Sequence, residues 1–106
     1  MPEFEYIEIE KENIPYSFEM DFGAETFELE IRYNDTFDYF TIDLYKDGEI
    51  LVYGEKIVYG VPLFDDYYDQ RFPAPTIIPL DESGNETSVT FENMNDTVFL
   101  MVVNNE

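Results

Sequence analysis

Two adjacent stretches of this sequence alternate apolar and polar residues without a fault: Tyr16-Ser17-Phe18-Glu19-Met20-Asp21-Phe22 and Phe27-Glu28-Leu29-Glu30-Ile31-Arg32-Tyr33. A period of two sends every second side chain to one face of an extended chain, so such a segment buries its apolar set only as a β-strand with one face on a core. Gly23-Ala24-Glu25 interrupts the pattern between them, which predicts a hairpin. A third run, Tyr39 to Tyr45, sets Phe40, Ile42 and Leu44 against Thr41 and Asp43 after the polar turn Asn34-Asp35-Thr36. It pairs with its predecessor. Lys46-Asp47-Gly48-Glu49 then supplies Asp-Gly, the pair that accepts the positive φ of a tight hairpin, and returns the chain into Ile50-Leu51-Val52-Tyr53. The first half reads as an antiparallel meander.

The rest is less regular. Gly54 marks a bulge or corner in one long bent strand that resumes at Ile57-Val58-Tyr59. Residues 62–75 form the longest loop: Pro62 to Asp69 allows one helical turn, and Arg71-Phe72-Pro73-Ala74-Pro75 excludes regular structure. Short strands are predicted at Thr76 to Leu80 and Ser88 to Phe91, joined by the turn Asp81 to Glu86. The last strand, Val98 to Val103, is continuously apolar, as a strand buried on both faces would be. Near the start, Phe4 and Tyr6 share one phase and Ile7 and Ile9 the other, so the first strand slips register around Tyr6. The expected fold is all-β: a single small antiparallel β-sandwich or partly open β-barrel of seven to eight strands. It occupies residues 1–106 as one domain with its core in 13–103.

Composition decides which functions such a domain can carry. Of 106 residues, 44% are hydrophobic and 18% aromatic, which excludes intrinsic disorder despite the charge. The formal charge is −20: residues 1–30 hold 10 acids and 1 base, 31–60 hold 6 and 3, and 61–106 hold 9 and 1. The acid is spread over the whole chain. A globule so charged repels phosphate backbones and anionic membranes, so no direct nucleic-acid binding and no membrane binding are expected; partners should be basic or reached through apolar contact. There is no Cys and no His. Thiolate zinc sites, disulfides and the commonest general base are therefore all absent. The N-terminal residues lack the charge and apolar run of a secretory signal, which predicts synthesis in the cytoplasm and a soluble protein. The Asn-x-Thr triplets at Asn34, Asn85 and Asn95 then read as turn residues.

No catalytic, cofactor-binding or metal-binding residues can be nominated. Among 25 carboxylates some pairs fall at glycosidase spacing by chance. Asp81, Ser83 and Asn85 alternate as in a calcium loop with Glu92 twelfth, but Glu86 occupies the position where that loop needs Gly, so a plain turn is the simpler reading. The candidates for a binding surface are Phe64, Tyr67, Tyr68 and Phe72, on the long loop beside Asp65, Asp66 and Asp69. Aromatics exposed on a loop favour an interface; the alternative is that they fold back as a satellite cluster beneath it.

The chain resembles the baseplate plug family of contractile-tailed phages, named for a cyanophage baseplate protein. The matching elements are Asn13-Ile14-Pro15, Tyr33-Asn34, Asp43-Leu44-Tyr45, Asp47-Gly48, Leu51-Val52-Tyr53-Gly54, Val58-Tyr59-Gly60-Val61-Pro62-Leu63, Asp81 to Gly84, and Val89-Thr90-Phe91-Glu92-Asn93. Their order and spacing span residues 13 to about 103. The sequence departs from the pattern at Asn95, where Gly is expected, although Asn tolerates the same left-handed backbone. It is also more acidic than expected of the family. The resemblance implies a non-enzymatic virion component of the tail hub, without a cofactor, that helps close the central channel. Its implied partners are tail hub and tube proteins, with room for several copies of itself. It would pass from the host cytoplasm during assembly to the tail and baseplate. An acidic surface near the channel would let the duplex slide rather than hold it; charge reversal of a channel-facing cluster and timing of DNA ejection tests this.

Three other classes compete. An acidic nucleic-acid mimic that occupies a host protein's basic cleft needs carboxylates in a phosphate-like array, whereas many acids here are the polar alternates of amphipathic strands. A carbohydrate-binding accessory domain rests on the Tyr content, and a small glycosidase on the carboxylates alone.

Overall fold

The computed structural model describes residues 5–22, 25–64 and 76–103. Among them there is no α-helix, one 3₁₀ turn at Lys11–Asn13, and seven strands in two antiparallel sheets. The strands are β1 (Tyr6–Ile7), β2 (Tyr16–Phe22), β3 (Glu25–Asn34), β4 (Tyr39–Lys46), β5 (Glu49–Lys56), β6 (Thr76–Leu80) and β7 (Phe99–Val103). The first half is the expected meander, a four-stranded sheet in the order β2-β3-β4-β5. The second sheet has the order β1-β7-β6. Neither closes on itself, and the architecture is a small sandwich rather than a barrel.

Period-two patterning becomes core directly. Phe27, Leu29 and Ile31 of β3 and Phe40, Ile42 and Leu44 of β4 are buried to 1% exposure or less. In register, Leu29 lies opposite Leu44 and Ile31 opposite Ile42, so the two strands present one apolar face. Across from it, Ile7, Ile77, Leu100 and Val102 of the second sheet belong to the same cluster. Burying a side chain of this size contributes roughly 1.5–3 kcal/mol, so these pairs outweigh any single surface contact.

Turn chemistry also follows the sequence. Asp47 and Gly48 take φ values of 53° and 80° between the paired Lys46 and Glu49. Gly54 takes φ 73° where the β4–β5 register shifts, so the bulge stands where the glycine was. Asn95 has φ 64°, the left-handed backbone expected of it. The central strand β7 is buried at Leu100, Met101 and Val102. The hairpin tip at Gly23-Ala24 lies outside the described residues, as does the expected helical turn of residues 62–69 from residue 65 onward.

Two expectations are corrected. The bent strand stops at Lys56 rather than Tyr59: the Ile57 N–H still donates to the Phe40 carbonyl, but Gly60 (φ 75°) turns the chain toward β6. There the N–H groups of Gly60 and Leu63 donate to the carbonyls of Pro79 and Ile77. Residues 88–91 form no strand. Asn93 takes their hydrogen bonds instead: its Oδ1 accepts the Thr90 N–H, its own N–H donates to Thr90 Oγ1, and its Nδ2 donates to the Ser88 carbonyl. Side chains that bond the nearby backbone compete with a ladder in this way. The first strand is correspondingly short, and the Ile7 and Ile9 phase is the one that enters the core.

Candidate interaction site

At one place the β3–β4 turn, the 3₁₀ turn and the 88–95 segment converge. Tyr33, at the end of β3, packs its ring 4.9 Å from Phe40 and 5.0 Å from Phe91. Its hydroxyl donates to Asp38 Oδ1 at 2.6 Å, and the same oxygen accepts the Phe91 N–H at 2.9 Å. Lys11 fastens the other side: Nζ donates to the carbonyls of Phe91 and Glu92 at 2.7 and 3.3 Å and lies 5.1 Å over the Phe91 ring. The 88–95 segment is thus pinned across a sequence separation no local pattern reveals.

The electrostatics follow from these bonds. The Tyr33 hydroxyl, with help from the Phe91 N–H, holds the Asp38 carboxyl below the usual carboxylate range. Reciprocally, its bond to Asp38 pushes Tyr33 up to about 12.

The β3–β4 turn stands as a ridge between two shallow concavities. One, of about 350 Å³, borders Lys11, Pro15, Arg32 and Phe91. The other, of about 230 Å³, borders Phe37, Lys56, Val58 and Val89. On the ridge, Phe37 is 75% exposed. Sequence reasoning missed it, because an apolar residue inside a polar turn carries no periodicity. Its signal was available only as the exception within Asp35-Thr36-Phe37-Asp38.

Of the residues nominated from sequence, Phe64 is placed in the core cluster at 6% exposure, with φ 61° and its N–H donated to Glu55 Oε2. A side chain so covered offers little area to a partner. Tyr67, Tyr68 and Phe72 lie outside the described residues. In the Asp81 loop the carboxylate is committed to local donors: Oδ1 accepts from the N–H and hydroxyl of Ser83, and Oδ2 from the N–H groups of Asn85 and Glu86. The Ser83 hydroxyl chiefly, then these N–H groups, lower its pKa. Among the described residues no three His, Cys, Asp or Glu gather where a metal ion could sit.

Several of the sequence elements that carry the family resemblance hold one part of the fold to another. Tyr59 accepts the Asp81 N–H at its hydroxyl, tying Val58–Leu63 to the Asp81 loop. Tyr33 meets Phe91, and Pro15 borders the same concavity as both.

A family model described as cyanophage baseplate Pam3 plug gp18 matches residues 4–105. No curated protein matches the chain at a significant level.

Proposed function

This chain belongs to the cyanophage baseplate plug family and is a phage structural protein of the baseplate, and from that premise we propose that it works without catalysis or cofactor, as a single domain docked onto tail hub and tube subunits. The observation that carries this reading is the open edge of the larger sheet. Strand β2 pairs with β3 on one side and has no strand on its other side among the described residues. Left bare, a row of unpaired main-chain groups invites pairing with another chain. Here Ser17, Glu19 and Asp21 alternate along it and are exposed, which discourages self-pairing while matching a basic neighbour. We assign a second contact to Tyr67, Tyr68 and Phe72, in the stretch that follows the buried Phe64. The −20 charge keeps the plug from holding the DNA that passes it. Assembly takes place in the host cytoplasm, and closure of the channel follows from docking at the hub.

Carbodiimide cross-linking of intact tails from the encoding phage, followed by mass spectrometry, tests the reading. Links from Glu19 or Asp21 to lysines of hub or tube subunits are expected. Purified tails that lack this chain would overturn it.

A further inference from the structure

Resting on that docking reading, we propose that Phe37 is the anchor of a preorganised docking knob, and that it fits an apolar pocket rimmed by lysine or arginine on a different protein of the tail. Single exposed apolar side chains are common on protein surfaces and by themselves mean little. What distinguishes Phe37 is how firmly the backbone around it is held. It is the most exposed of the large apolar residues described, at 75%. On one side, Asn34 Oδ1 accepts the N–H groups of both Thr36 and Phe37, at 3.0 and 3.1 Å. On the other, Asp38 sits at φ 58°, fixed by the Tyr33 hydroxyl and the Phe91 N–H.

A turn locked at both ends has little backbone freedom left to lose when it binds, and an aromatic ring on such a turn loses only two side-chain torsions. Folding itself gains nothing from leaving Phe37 in water. Val58, 41% exposed, shares the neighbouring concavity and extends the apolar surface beside the ring.

Charge selects the partner. Asp35 and Asp38 flank the ring in sequence on a chain of net charge −20, against the single Lys56 that borders the same concavity, so a second copy would bring an excess of acid against acid. A pocket with a basic rim removes that repulsion and adds attraction at the periphery, where it sets orientation and association rate.

The test is reconstitution. Tails are purified from a phage deleted for this gene and incubated with recombinant wild type, Phe37→Ala or Asp35→Lys, and the chain retained per tail is measured by quantitative mass spectrometry. Phe37→Ala is expected to melt with the wild type yet bind about tenfold more weakly or worse, as loss of a buried aromatic anchor does. Asp35→Lys should bind several-fold more weakly, and wild-type retention should fall as salt rises. Wild type and Phe37→Ala binding equally would overturn the anchor while leaving the docking reading intact. Wild type failing to bind at all would overturn both. Sedimentation supplies the last discriminator: a wild-type dimer that Phe37→Ala converts to monomer would make the partner a second copy and overturn the basic pocket.

Discussion

The backbone N–H of Gly54 donates to Asp43 Oδ1 at 2.7 Å, so a fully buried carboxylate satisfies the group that the β5 bulge releases from its ladder. Asp43 stands on the polar face of β4, opposite Glu30, yet has no exposure. Its second oxygen faces Arg32 Nη2 at 3.2 Å, close enough for an ion pair but off the line of a hydrogen bond. Arg32 closes over it, bound also to Glu30 at 2.6 Å and lying 5.4 Å from the Tyr53 ring.

This arrangement ranks two substitutions. Arg32→Ala leaves the Asp43 charge buried without a counter-charge and should be the more destabilising of the two. Asp43→Asn keeps an acceptor for Gly54 and removes the charge, and should cost about 1 kcal/mol. The double variant should be more stable than the sum of the two losses allows. Urea denaturation of the three variants checks the order; Asp43→Asn proving the costlier would contradict it.

Gly54→Ala should destabilise by about 1 kcal/mol through the backbone alone. A Cβ there meets no atom within 4 Å, but φ is 73°. Gly54→Asn should cost less, because Asn visits the left-handed region more readily. The denaturation midpoint should shift in both without a change of slope; an Ala variant as stable as the parent would show the bulge relaxing elsewhere.

The Tyr33–Asp38 bond links stability to pH at both extremes. Asp38 has a lowered folded pKa, so its contribution is present above the ordinary carboxylate value near 4 and is lost as acid titrates through the folded value. Tyr33, raised to about 12, contributes fully below the ordinary tyrosine value near 10 and loses that contribution as pH climbs through about 12. Tyr33→Phe should therefore lower stability at neutral pH and flatten the alkaline fall relative to wild type. Parallel curves for the two proteins from pH 9 to 12 would refute the linkage.

Self-repulsion of a −20 chain should make the protein more stable in salt. Screening that relieves about 1 kcal/mol raises the Tm of a domain this size by roughly 4–8 °C. Calorimetry in low and half-molar NaCl measures it, and a salt-independent Tm would mean the acids are already locally compensated.

The four-stranded sheet was readable in advance because its information is local. Phe18, Leu29 and Ile42 sit in runs whose period already names their face, and Asp47-Gly48 names its own turn. The same locality misled at Ser88–Phe91, where the apolar pattern of a strand is present but Asn93 captures the hydrogen bonds. Asp43 was equally opaque, since an acid on the polar phase of a strand reads as exposed.

Sequence by itself determined the all-β class, the meander, the bulge at Gly54 and the exclusion of His and Cys chemistry, because backbone conformational limits and apolar periodicity act between near neighbours. Tertiary structure alone decided that Phe91 reaches Asp38, that Arg32 roofs Asp43 and that Phe37 stands out on a locked turn. The first joins segments that meet only when distant parts of the chain pack, and a hydrogen bond across fifty residues leaves no trace in the spacing of either partner; the other two turn on side-chain placement within the β3–β4 hairpin, which the period of a strand does not fix.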